Sequence, residues 1–361
     1  MKNCFKYLFK QAIPLIIVLS VVFISIYDLS CIFTKCHYEP DAFAYAPYLR
    51  YPDPNAYEII TMLAITTAII PILNFARFKN KNAVDVYFSL PLSKNSLYTQ
   101  KLIIGFIEIM IPFTISYFIG FFIFIIRGAD FYMVQYIPMY LLLVLASLLM
   151  YIICSFFVIK ANNVVDSIIF IILYTLITTF IFNGLNNVYY IFKGIYFISW
   201  RWTYILAPYG LMQKITDFYS YYLKIKMPNY SFSDKDVYIL WMFVCLAIQL
   251  VLAGLALLGI FMHIKKAKNE DVEERSNTWF GYKTMIPILY AIALISIAPY
   301  QNTVSYFLMS AIYSVGYVVL IMAAEFRSVK IPKSRYITLV AVYVSYTIVY
   351  LLGMYGFQPV F

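Results

Sequence analysis

Residues 102–126 read LIIGFIEIMIPFTISYFIGFFIFII, 25 consecutive positions that carry a single charge, Glu108. At a rise of about 1.5 Å per residue, roughly 20 such residues cross the ~30 Å hydrocarbon core of a bilayer, and a helix satisfies all its backbone hydrogen bonds internally. No polar face recurs at helical spacing, so the segment does not read as a surface helix of a soluble protein. It predicts a transmembrane helix.

On either side of it, eight further stretches have comparable character: 12–27, 57–76, 135–159, 164–182, 237–264, 284–299, 304–326 and 336–353. The first and seventh are short. The 361-residue chain is 63% hydrophobic and 12% charged, with mean hydropathy +0.80, against roughly 25% charged residues in soluble domains. Aromatic content of 20% suits helix ends lying at headgroup level. Lys2, Lys6 and Lys10 ahead of residues 12–27 resemble the start of a signal sequence, but no small-x-small cleavage site follows, so this stretch is expected to remain as the first span.

A net charge of +10 invites a nucleic-acid reading, yet the basic residues are scattered between apolar runs rather than gathered on one domain. They follow the membrane instead. With the N-terminus inside, 18 of the 27 Lys and Arg residues fall in inner segments, including Arg77, Lys79, Lys81, Lys94 and Lys101 after the second span and Lys265, Lys266 and Lys268 after the sixth. Cytoplasmic loops retain such residues, and adding or losing one span would invert every later loop. The sequence therefore predicts an all-α polytopic transmembrane helix bundle of about nine spans in a plasma membrane, N-terminus inside and C-terminus outside. Its outer loops are 28–56 and 183–236, and interfacial helices are expected in the second, with 188–204 either interfacial or re-entrant.

Chemistry is sparse. No G-x-x-x-x-G-K-[ST] phosphate loop occurs, no CxxC pair exists, and the only histidines are His37 and His263, so no nucleotide, cofactor or metal site is expected and the chain does not read as an enzyme. Cys31 and Cys36 stand close enough in sequence either to pair on an oxidising face or to remain free thiols. Glu108 is the one ionisable residue well inside a span, where such groups are costly. It reads either as a packing residue or, with the helix-kinking Pro112, as part of a translocation path. Pro14, Pro71, Pro138 and Pro287 also fall in or near spans. Asp166, Glu58 and Glu325 lie near span ends, where water or a Lys/Arg neighbour is expected to satisfy them. The run Glu270, Asp271, Glu273 and Glu274, set among Lys265, Lys266, Lys268 and Arg275, reads as a solvated helix face with i,i+4 pairs.

The inner loop and the start of the third span, residues 74–112, read NFARFKNKNAVDVYFSLPLSKNSLYTQKLIIGFIEIMIP. Basic Arg77, Lys79 and Lys81 precede Asp85; a Ser-Leu-Pro-Leu-Ser-Lys box follows at Ser89, Leu90, Pro91, Leu92, Ser93 and Lys94; then come Leu97, Tyr98, Lys101, Gly105 and Pro112. This pattern resembles the ABC-2 type permease family, the membrane-spanning subunits of ABC transporters, in its Gram-positive branch. The basic-then-acidic junction Lys265–Glu270 is similar as well, without the Ala-Gly pair usual after the Glu. The resemblance covers residues 1–264, the six-span core, by motif, and 265–361, a charged linker with three further spans, by layout. It implies that loop 77–101 is a coupling element resting on a cytosolic ABC ATPase subunit, contacted through Asp85, Ser89–Lys94, Leu97 and Tyr98. It also implies a like permease subunit as partner and export of an amphipathic cargo such as a peptide or lipid. Two other readings stand beside it: a gradient-driven secondary transporter using Glu108, and a non-transporting membrane sensor or anchor.

Overall fold

The computed structural model describes residues 2–33, 36–38, 50–52, 56–81, 93–127, 133–193, 204–224, 233–266, 272–274, 276, 281–297, 303–326 and 331–356. The chain is an all-α polytopic bundle. In order come α1 (Lys2–Phe23), a π-helical turn (Ile24–Asp28), α2 (Leu29–Phe33), strands β1 (Cys36–Tyr38) and β2 (Arg50–Pro52), α3 (Ala56–Ala76) and a 3-10 turn (Arg77–Lys79). Then follow α4 (Lys94–Ile126), α5 (Met133–Lys160), α6 (Val164–Lys193), α7 (Gly210–Lys224), α8 (Ser233–Lys266), α9 (Tyr282–Ile297), α10 (Thr303–Leu320) with a π-helical end (Ile321–Phe326), and α11 (Lys333–Gly356).

Among the described residues eight helical segments are long and apolar enough to cross a membrane, and Tyr282–Ser296 is a shorter apolar helix. The distribution of polarity agrees with that reading. Leu240, Phe243, Leu250, Val251, Leu255, Leu258 and Met262 stand exposed along α8, while Glu108, Ser116, Ser147, Ser155 and Gln249 are buried. A continuous exposed apolar surface of this kind calls for a nonpolar solvent.

Several expected boundaries move. The first span is not short: helical structure runs unbroken through Lys2–Phe23, the π-helical turn and Leu29–Phe33, and the apolar segment covers Phe5–Phe33. Lys6 and Lys10 do not end the helix, because long basic side chains can carry their charge to the headgroups. The fifth span continues to Lys193, absorbing residues 183–193 of the expected outer loop, and 188–193 is therefore part of a span-forming helix. The seventh stays short: α9 has 16 residues, about 24 Å at helical rise. Pro14, Pro71, Pro112, Pro138 and Pro287 all lie inside helices. Between α2 and α3, β1 and β2 pair antiparallel, Cys36 opposite Pro52 and Tyr38 opposite Arg50. Cys31 is a free, buried thiol.

The contacts divide the chain into two compact units, Met1–Ile159 with Pro208–Glu270, and Lys160–Ala207 with Asp271–Phe361. This differs from the boundary expected at 264/265, because α6 packs along α9 and also meets α11, so the fifth span groups with the last three. In the first unit α1 and α3 pack on α4, and α7 lies against α8 and α3. Leu211, Met212 and Ile215 are buried, so α7, which falls in the second loop expected to be outer, is part of the protein core rather than a float on the bilayer surface.

Candidate functional site: the roots of the α3–α4 loop and the buried acids

The loop between α3 and α4 is held at both ends. After Ala76 the chain tightens into the 3-10 turn, which buries Phe78 and Lys79. Lys79 donates from Nζ to the carbonyl of Val158 near the end of α5. Ser93 caps α4: its backbone is extended (φ −66°, ψ 141°), its hydroxyl accepts from the Ser96 amide at 3.3 Å, and its carbonyl accepts from Leu97 N–H at 3.1 Å. A serine at this position satisfies one of the otherwise orphaned amides of the first turn. Tyr98 then stacks on Phe75, ring centroids 5.5 Å apart, and packs on Phe78 at 5.1 Å. The two roots are thereby pinned to each other and to α5.

Of the residues expected to contact an ATPase, Asp85, Ser89, Leu90, Pro91 and Leu92 lie outside the described residues. Ser93 is exposed and Lys94 half-buried. Leu97 is only 2% exposed, and Tyr98 is half-buried within the aromatic cluster. Their hydrophobicity serves the helix junction.

Glu108 sits further along α4, 2% exposed, and accepts a 2.5 Å hydrogen bond from Asn74 Nδ2 on α3. Lys101, two helical turns earlier, is buried too. Between them Gly105 allows a close approach: a Cβ there would run into Tyr151 Oη and lie 2.7 Å from Asn74 Nδ2. Pro112, four residues beyond Glu108 and buried, has no amide to return to the Glu108 carbonyl. Side chain and backbone thus both depart from plain helix at this position.

A second buried acid was not singled out in the sequence. Asp28 ends the π-helical turn, is 3% exposed, and accepts from Ser116 Oγ at 3.1 Å. Around it, the Tyr27 and Tyr136 hydroxyls are 3.1 Å apart, Tyr117 donates to the Tyr136 carbonyl at 2.8 Å, and Arg127 donates to the Cys31 carbonyl at 2.6 Å. A π-turn inserts one residue and so re-aims the side chains beyond it. The available signal was a lone charge at the edge of an apolar run.

In the other unit, Asp166 is fully buried and works as a clasp rather than as a solvated boundary residue. Its Oδ2 accepts from Asn163 Nδ2 at 2.8 Å and from the Ser276 amide at 2.9 Å, and its Oδ1 accepts from the Tyr282 hydroxyl at 2.5 Å. Asn162 N–H donates to Ser276 Oγ at 2.7 Å, and Glu273 N–H donates to the Asn162 carbonyl at 3.2 Å. Glu273 has φ 66°, so the described part of the acidic run, 272–274, is a turn and not a helix face. Glu325, also buried, has the Arg neighbour that its place near a span end led one to expect: Arg335 donates to its Oε1. Among the described residues no three His, Cys, Asp or Glu side chains group as a metal site.

Long apolar helices around buried acids and amides make the chain a polytopic helical membrane protein with polar networks between its spans. No family model matches the chain, and neither a curated protein nor a solved structure matches it.

Proposed function

We propose that this chain is the membrane-spanning subunit of an ATP-driven transporter of the plasma membrane, energised by a cytosolic ATPase on a separate chain and paired with a like subunit. The observation that carries the reading is the anchoring of loop 77–101. Lys79 ties one root to α5, and the Phe75–Phe78–Tyr98 cluster ties the roots together. A push on the segment between them is therefore passed to α3, α4 and α5 as a group instead of being absorbed by loose chain.

Further along the same helices, the Asn74–Glu108 bond and the Tyr151–Gly105 contact bridge the elements that such a push displaces. Pro112 gives α4 a weak point at which to bend. Amphipathic cargo, a peptide or lipid, and the outward direction come from the family resemblance alone. A gradient-driven mechanism is the second reading, favoured by one observation, the burial of Glu108.

Gentle detergent extraction followed by affinity capture tests the choice. Recovery of a stoichiometric P-loop ATPase, abolished by Leu90→Asp, is the expected outcome. No ATPase in the eluate, together with transport abolished by Glu108→Gln, overturns it in favour of the gradient-driven reading.

A further inference from the structure

In the first unit α1 passes through the π-helical turn Ile24–Asp28 into α2 without a break. Such a turn holds one residue more than an α-helix would, so everything beyond it is rotated by roughly 100°, one residue's share of a 3.6-residue turn. Ahead of the turn the buried positions Leu8, Ala12, Ile16 and Phe23 keep helical spacing; beyond it the buried residues are Tyr27, Asp28 and Cys31. Without the extra residue, Asp28 and Cys31 turn off this face and Ser30 takes the place that Cys31 holds.

Two adjacent positions on α4 receive the turn. Tyr27 fills a notch over Gly120, where a Cβ would lie 2.5 Å from its Cε1, and its hydroxyl stands 3.1 Å from that of Tyr136 on α5. Asp28 accepts from Ser116 Oγ at 3.1 Å. Ser116 and Gly120 are four residues apart and so share one face of α4. One half of this latch holds poorly: Asp28 is 3% exposed, yet its Oδ1 has no hydrogen-bond partner among the described residues. Burying a carboxyl oxygen without a donor is costly. Turned outward, near the end of the apolar segment Phe5–Phe33, Asp28 regains polar surroundings at headgroup level.

We propose that this turn is a register switch: the chain through α1 and α2 exchanges between the π-helical form, latched on α4 by Tyr27 and Asp28, and a fully α-helical form in which Asp28 and Cys31 face outward. The notch at Gly120 favours the first form and the poorly satisfied carboxyl the second, which keeps both within reach of one chain. Ser116 and Gly120 both lie beyond Pro112, so a bend of α4 there withdraws both halves of the latch together. That coupling rests on the transporter reading; the switch itself, confined to the first unit, does not.

Cys31, a free thiol with no exposed surface, reports the register. The full-length protein in phospholipid vesicles, with Cys4, Cys36, Cys154 and Cys245 replaced by alanine, is treated with N-ethylmaleimide and the labelling of Cys31 is timed. A companion protein keeps Cys154 alone, 1% exposed on α5. In the parent background Cys31 reacts slowly but faster than Cys154. Gly120→Ala, which closes the notch to Tyr27, speeds Cys31 by about tenfold, the worth of one overpacked methyl group. Deleting Ile26 removes the extra residue and makes Cys31 react faster still; if that protein fails to fold, Gly120→Ala carries the test by itself. Cys154 keeps its parent rate throughout. A Cys31 rate unchanged by Gly120→Ala, a parallel rise at Cys154, or a parent Cys31 no faster than Cys154 overturns the proposal.

Discussion

Gly105 and Glu108 occupy neighbouring positions on one face of α4, and each tolerates little change for a different reason. The space above Gly105 is already taken by Tyr151 Oη, so Gly105→Ala forces apart α4 and α5. We expect a loss of about 1–3 kcal/mol in thermal unfolding of the detergent-solubilised protein, with Tyr151→Phe restoring part of it. Glu108→Gln keeps an oxygen for Asn74 to donate to, so the fold should persist and the variant isolates the role of the charge. Asp166→Asn is harsher, because one acceptor oxygen becomes a donor facing the Ser276 amide or the Tyr282 hydroxyl. About 1–3 kcal/mol is the expected cost, and faster protease cutting within 265–283 is its local signature. Asp166 was legible in the sequence as a residue near a span end, but not as a clasp. Its partners Ser276 and Tyr282 are more than a hundred positions away and carry no pattern that announces them.

Among the helices, the long apolar runs declared themselves in the sequence because nothing but a membrane accommodates 25 residues with one charge. Their ends did not. Helix α6 runs on through Asn183, Asn186 and Asn187 to Lys193, since hydrogen bonds such as that from Asn187 Nδ2 to the Ser296 carbonyl, at 3.3 Å, satisfy polar side chains that read as loop. The short α7 was foreseen only as an interfacial helix. Its Lys214 lies 3.9 Å from Asp217, and burial raises the Asp217 carboxyl above the ordinary value of 3.8 despite the opposing pull of Lys214. A raised folded value means that the folded state holds this proton more tightly than the unfolded chain does. The stabilisation is fully present below 3.8 and is lost as pH rises through the folded value. Melting curves taken from pH 4 upward should therefore fall more steeply in the wild type than in Asp217→Asn.

The two units together make the chain's organisation less sequential than its layout suggests, with the fifth span joining the last three and α7 and α8 returning to the first four. Hydropathy and charge alternation read each span separately and contain no information on which spans pack together. That depends on small-residue gaps such as Gly105 and on polar bridges such as Asn74–Glu108. The proposed function rests on one loop, rooted at Lys79 and Ser93, in a sequence without a phosphate-loop motif. A photo-crosslinking residue placed at Leu90 in living cells asks whether that loop touches an engine. The expected result is an adduct with a P-loop ATPase that forms from the cytosolic side and changes in yield when ATP is depleted. An adduct-free Leu90, or a cysteine at the same position that reacts with a membrane-impermeant reagent added outside the cell, would overturn a coupling role for the loop.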